Sequence, residues 1–336
     1  MSRRGWKKNL FLIGVAGLAL VLLVVGGLAA ALGWASLSYR SMGAPEPDTV
    51  QHSISLSPAP PHQPASGMAA SKSGPYPADR SASAIPPPAL APLQVSVDLF
   101  EGHFEIRPGP PGSPVQVKGT YASSYYELVE ESEMDPESGR RVSIRFQPKV
   151  GFLVRLIAGL THISEGHPNQ ITVVLPRQTP TALAVRLGGG DSRIDLGGLT
   201  LTDLRVDLSK GSHRLEFGEP LRGDLPRMEI LFQMGEGRVE KVGNAHPQEL
   251  DISSRMGSFR VNLGGEWPAG FESQVRVTHS MGELVLLVPA SIRVDRVASG
   301  SAPADRAPAP GEKTSEDPMI HLELSSSMGE ARIQRY

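Results

Sequence analysis

From Leu10 to Gly33 the chain carries no charged residue. At about 1.5 Å per residue such a run forms a helix roughly 36 Å long, enough to cross a bilayer core of about 30 Å. The pattern predicts a transmembrane helix over 10–33 behind a short segment, 1–9. A cleaved signal peptide with an Ala-x-Ala site near Ala29 is the alternative, although its apolar region would be only roughly 7–15 residues. Residues 34–93 are dominated by Pro, Ser and Ala and show no apolar periodicity, which predicts a disordered tether. Beyond it, short runs of alternating apolar and polar residues recur between glycines, the pattern of strands with one buried face.

Those glycines organise a repeat. With Gly190, Gly211, Gly235, Gly257, Gly282 and Gly329 as anchors, Leu183, Leu204, Met228, Leu250, Val275 and Leu322 stand seven residues earlier. Val185, Val206, Ile230, Ile252, Val277 and Leu324 stand five earlier; Ile194, Leu215, Val239, Val261, Leu286 and Ile333 stand four later. Each unit therefore reads as strand, glycine corner, strand, with glycine supplying positive φ or a close backbone approach. The anchors recur every 21 to 25 residues until the last interval, which accommodates a Pro/Ala/Ser-rich loop over 298–317. Val95, Val97, Leu99, Gly102 and Ile106 fit the same template, so the β domain spans 94–336. Repeats of this length predict an all-β, right-handed, single-stranded β-solenoid of about 22-residue coils that bury their apolar faces on one another. A sandwich of hairpins is the rival architecture, but it does not require corresponding positions to stay in register.

The stretch LGGGDSRIDLGGLTLTDLRVDLSKGSHRLEFGEP, followed by MGEGRVEKVGN, MGSFRVNLGGEW and MGELVLLVP, resembles the toast-rack domains of bacterial envelope proteins, the group with LiaF-like and DUF4097-type families. The likeness covers 171–336 well and 94–170 loosely. Its corners read Gly-Gly-Gly-Asp, Ser-Lys-Gly-Ser and Met-Gly-Glu/Ser instead of Gly-Ala-Gly-Asp, so it is one of periodicity. The resemblance implies the solenoid fold, little chemistry and, for the LiaF-like branch, restraint of an envelope-stress sensor.

Charge refines the picture. Arg3, Arg4, Lys7 and Lys8 precede the apolar run and only Arg40 follows closely, which places the N-terminus in the cytoplasm and the β domain outside, in a bacterial membrane. A formal net charge of −2 without basic clusters argues against a nucleic-acid partner. The chain has no cysteine, so disulfides, thiolate catalysis and Cys-ligated metals are excluded.

Candidate chemistry is sparse. Three residues after the anchors stand Arg193, Arg214, Arg238, Arg260 and Arg332, with Val285 breaking the row. Asp195, Glu216, Glu240, Asn262, Leu287 and Gln334 stand five after. Both rows flank an inward position and should point outward as ladders. They serve either to deter edge aggregation or to recognise anionic polymers or an acidic partner. The apolar segment Val150–Ile163, with Phe152, Leu153, Leu156 and Ile157, is a cap on the array or a contact patch. Met234, Met256, Met281 and Met328, each just before an anchor, are expected to pack into irregular corners, with soft-metal binding the alternative. His162, Glu165 and His167 lack metalloprotease spacing, and no nucleophile elbow or phosphate loop is present. The expectation is a non-catalytic, cofactor-free binding or regulatory surface whose partner is an envelope membrane protein or cell-wall polymer. A structural or adhesive module and a glycan-active enzyme are the alternatives, and self-association is compatible with all three. The last strand is expected to leave an edge that another chain completes.

Overall fold

The computed structural model describes residues 48–53, 92–135, 139–151, 169–298 and 317–336. The expected helix over 10–33, most of the tether, Phe152, Leu153, Leu156, Ile157 and the loop over 299–316 lie outside them. Among the described residues no helix is long and apolar enough to cross a membrane.

The strands are β1 (Asp48–Ser53), β2 (Leu93–Leu99), β3 (Gly102–Pro108), β4 (Gln116–Tyr121), β5 (Tyr126–Asp135), β6 (Gly139–Pro148) and β7 (Gln170–Leu175), followed by β8 (Thr181–Asp195), β9 (Leu201–Glu216), β10 (Leu225–Glu240), β11 (Pro247–Asn262), β12 (Glu272–Val288), β13 (Arg293–Ala298) and β14 (Met319–Arg335). A short 3-10 turn, Val242–Ala245, separates β10 from β11. The chain divides into two compact units. The described part of the smaller comprises a turn at Ala122–Glu127, where Ala122 O accepts from Tyr125 N, and residues 148–151, where Lys149 N donates to Tyr125 O. The larger unit holds the repeat.

There β8, β9, β10, β11, β12 and β14 stack as one parallel array, glycine on glycine: Gly190↔Gly211, Gly211↔Gly235, Gly235↔Gly257, Gly257↔Gly282 and Gly282↔Gly329. The two short strands expected per unit are fused into one strand of 15 to 17 residues that passes through the glycine. The inward positions nevertheless change parity there. In β9 they are Leu204, Val206 and Leu208 before Gly211, at odd separations, and His213 and Leu215 after it, at even ones. A straight strand keeps its parity, so the glycine corner turns the chain and lets both limbs face one interior. Gly190, Gly211, Gly235, Gly257 and Gly282 have φ between 101° and 142°. A methyl group on each of the last four would overlap the carbonyl oxygen of the glycine one coil before it. Only glycine permits both the backbone conformation and the approach.

At the N-terminal end the coil preceding β8 is split into two strands: β2 pairs with the first limb of β8 and β3 with its second. β6 and β7 repeat that arrangement one level out, on β2 and β3, and Asn169 takes the corner over Gly102, its carbonyl accepting from His103 N. β4 breaks the pattern by pairing antiparallel with β7, and β1 adds next to β4. β1 (Asp48–Ser53) lies within the stretch expected to be a tether. Between limbs, buried Asn244 joins successive connectors: its amide donates to Phe217 O and its oxygen accepts from Glu266 N.

Candidate functional site

The first limbs carry a compensated charge ladder on their outer face. Arg186 lies 3.7 Å from Asp98 and 4.0 Å from Asp207, Arg205 bonds Glu229 at 3.1 Å, and Arg276 sits 3.0 Å from both Asp251 and Glu323. Glu323 and Asp251 hold the Arg276 guanidinium above its ordinary range. Each of these three arginines has an acidic neighbour in an adjacent coil, while the register sets two acids, Glu229 and Asp251, side by side.

The second limbs differ, because the register aligns like with like: Arg193↔Arg214, Arg214↔Arg238 and Arg238↔Arg260, then Val285, then Arg332. All five arginines are exposed. Glu216 takes the first two, accepting from Arg193 at 2.7 Å and from Arg214 at 2.9 Å. Partial burial pushes the Glu216 carboxyl up, but those hydrogen bonds and charges outweigh it and hold the group below the usual carboxylate range. Arg332 Nε donates to Glu330 at 2.6 Å. Arg238 and Arg260 stand opposite each other in adjacent coils, and among the described residues neither makes an ion pair. At the N-terminal end of this face a shallow hollow of about 500 Å³ is bounded by His103, Glu105, Gln170, Asp191, Arg193 and Ser212. His103 Nδ1 lies 3.5 Å from Asp191 there.

Between the two faces runs the corner itself. Met234, Met256, Met281 and Met328 align in consecutive coils, after Lys210. They were expected to pack inside; instead they are 45%, 43%, 38% and 73% exposed. The reason is the parity change. The residue just before each glycine lies on the outside of the bend, so the methionines form a ridge with side chains about 4.8 Å apart.

Inside the corner lie two polar pairs that the apolar template passes over. Ser192 Oγ is 2.9 Å from His213 Nδ1, and Ser254 Oγ is 2.6 Å from His279 Nδ1. All four residues are buried, and Nε2 of both histidines lacks a hydrogen-bond partner. Burial pushes the His213 pKa down, with the Asp191 charge and the Lys210 backbone partly offsetting it. Both histidines stand at inward separations from an anchor, two after Gly211 and three before Gly282, and that spacing is the signal by which they could be found. Phe232 and Phe259 stack next to them, ring centroids 5.1 Å apart, over Gly237, where a methyl group would meet both rings. Among the described residues no three His, Asp or Glu side chains gather as a metal site.

Residues 92–225 match the family model described as the N-terminal domain of toast_rack, DUF2154. Over this segment the chain resembles the toast-rack family. The match runs from the start of β2 to the start of β10 and includes 94–170, the stretch where the glycine template is blurred. Among curated proteins no relative matches. Three solved structures resemble this chain. A candidate cell adhesion protein from Clostridium sporogenes is 13% identical, with 74% of this chain and 94% of that chain covered and a TM-score of 0.35. A candidate adhesin from Bacteroides fragilis is 7% identical, covering 87% and 98%, TM-score 0.30. A candidate lipid binding protein from Parabacteroides distasonis is 12% identical, covering 87% and 97%, TM-score 0.30. At such TM-scores these likenesses carry no functional weight.

Proposed function

We propose that this chain is a non-catalytic binding module of the bacterial envelope, held to the cell membrane by the helix over 10–33, with the methionine ridge seating a protein partner. One observation carries it: four long apolar side chains stand exposed in register along the glycine corner. Returning each to apolar surroundings is worth on the order of 1–2 kcal/mol, and methionine adapts to irregular partner surfaces. The LiaF-like resemblance points to a membrane-bound sensor as the partner and to restraint as the consequence.

A photo-crosslinker at Met256 in the full-length chain in cells tests this. A discrete membrane protein should be captured, and its yield should fall at least tenfold when Met234, Met281 and Met328 become Gln. Unchanged capture in that variant refutes the ridge as the docking surface. A second reading, a polymer-binding adhesive module, is supported by the exposed Arg238 and Arg260, which stand in register in adjacent coils and make no ion pair among the described residues. It predicts retention on cell-wall polymer that disappears in R238E/R260E.

A further inference from the structure

The C-terminal end of the array is closed on one limb only. β13 pairs with the first limb of β14, Arg293↔Met319 to Ala298↔Leu324, and under it Ile320, Leu322 and Leu324 are buried. Along the second limb no described strand lies beyond β14. The inward positions there, Ala331 and Ile333, are half-exposed, whereas the equivalent Phe259, Val261, Leu284 and Leu286 of inner coils are at most 1% exposed. Among the described residues, then, this limb has no strand beyond it and the end of its core is partly exposed, the combination that strand addition completes.

We infer that a second copy of this chain occupies this edge, its own second limb adding antiparallel to the first about a two-fold axis through Ala331. Opposed residues of an antiparallel pair share a face, so a symmetric pairing must be centred on a residue. Centred on Glu330 or on Arg332 it would set like charges against each other at roughly 5 Å, which is destabilising. Centred on Gly329 or Ile333, it gives Glu330 or Arg332 an uncharged partner. Only the axis through Ala331 sets Glu330 opposite Arg332, and it does so twice. In the single chain these two already bond each other, so the pairing gathers two such ion pairs into a four-charge cluster. On the inward side the same register faces Ala331 with Ala331 and Gly329 with Ile333, small against small and smallest against large, which extends the core across the junction. Two arrays then join end to end, with closed rather than fibrous symmetry because the surface is self-complementary.

Absence of cysteine makes the test direct. In the full-length chain, Ala331→Cys should give a disulfide-linked dimer under mild oxidation, while Ser258→Cys, exposed on an inner coil, should not. Glu330→Cys and Arg332→Cys should crosslink when mixed and at least tenfold less when separate. In light scattering, E330R should dissociate the dimer and E330R/R332E should restore it, which separates charge pairing from misfolding. Equal crosslinking at Ala331 and Ser258, or a dimer indifferent to E330R, overturns the inference. So does a monomer whose edge crosslinks only to its own 299–316 loop. None of these outcomes depends on the methionine ridge.

Discussion

Substituting Gly257 by Ala isolates the contact that sets the spacing of the coils. Its φ of 125° suits no L side chain, and its new methyl group would overlap the carbonyl oxygen of Gly235. The dihedral alone costs about 1–2 kcal/mol. Relieving the overlap requires β10 and β11 to separate at the corner, which weakens backbone hydrogen bonds worth about 0.5–1.5 kcal/mol each, one or two of them. Reduced freedom of the unfolded chain returns roughly 0.5–1 kcal/mol. The net expectation is a loss of about 2–4 kcal/mol, a large share of the roughly 5–15 kcal/mol typical of a folded domain.

Gly270 provides the control. Its φ is 69°, also left-handed, yet a methyl group there meets nothing within 4 Å. G270A therefore carries the conformational cost without the overlap and should lose only about 0–1 kcal/mol. Urea denaturation of both variants followed by far-ultraviolet circular dichroism measures the difference directly. If G257A falls within about 1 kcal/mol of G270A, the coils are not held at backbone contact by their glycines, and the account of the corner is wrong.

The remaining predictions concern the corner interior and the arginine row. His213 has its folded pKa depressed by burial, so the unfolded chain binds more protons; stability should decline as pH falls through about 6.5, and S192A/H213L should flatten the pH dependence of the melting temperature. Glu216 is depressed by its two arginines, so its contribution is present above about 4.5 and is lost as pH falls towards the folded value. E216Q should lose about 0.5–1 kcal/mol at neutral pH, because both arginines are well exposed, and a loss above about 2 kcal/mol in denaturation would contradict that. Phe259→Ala should cost about 3–5 kcal/mol by the same assay, because it opens a cavity against Phe232 above Gly237.

The register of the array is legible in the sequence because parallel stacking repeats one environment at one spacing. The apolar residues seven and five before each glycine and four after it are buried in every inner coil. Less legible is what happens at the glycine, since a parity change depends on the turn and not on residue type. That single feature puts the methionines outside and puts His213 and His279 inside. The antiparallel pairing of β4 with β7 has no counterpart in the repeat, because the split coils of the N-terminal end have no corner glycine to align beyond Gly102. The uneven compensation of the arginine row, with Glu216 serving two arginines while Arg238 and Arg260 make no ion pair among the described residues, depends on distances that spacing does not give.

The two outer surfaces predict opposite responses to salt, and that contrast discriminates between the readings of function. Two guanidinium groups one coil apart repel by about 1 kcal/mol at the dielectric of water and several times more near a protein surface. An anion bound between Arg238 and Arg260 would relieve that repulsion. Binding there should weaken steeply as ionic strength rises from about 0.05 to 0.5 M, over which the screening length falls from about 14 to 4 Å. Docking on the methionine ridge buries apolar area and should hold or strengthen over the same range. Measured by pull-down of the crosslink-identified partner across that series, a salt-resistant complex places the contact on the ridge. A complex lost by 0.3 M and restored by dilution places it on the arginines instead, and the adhesive reading then takes precedence.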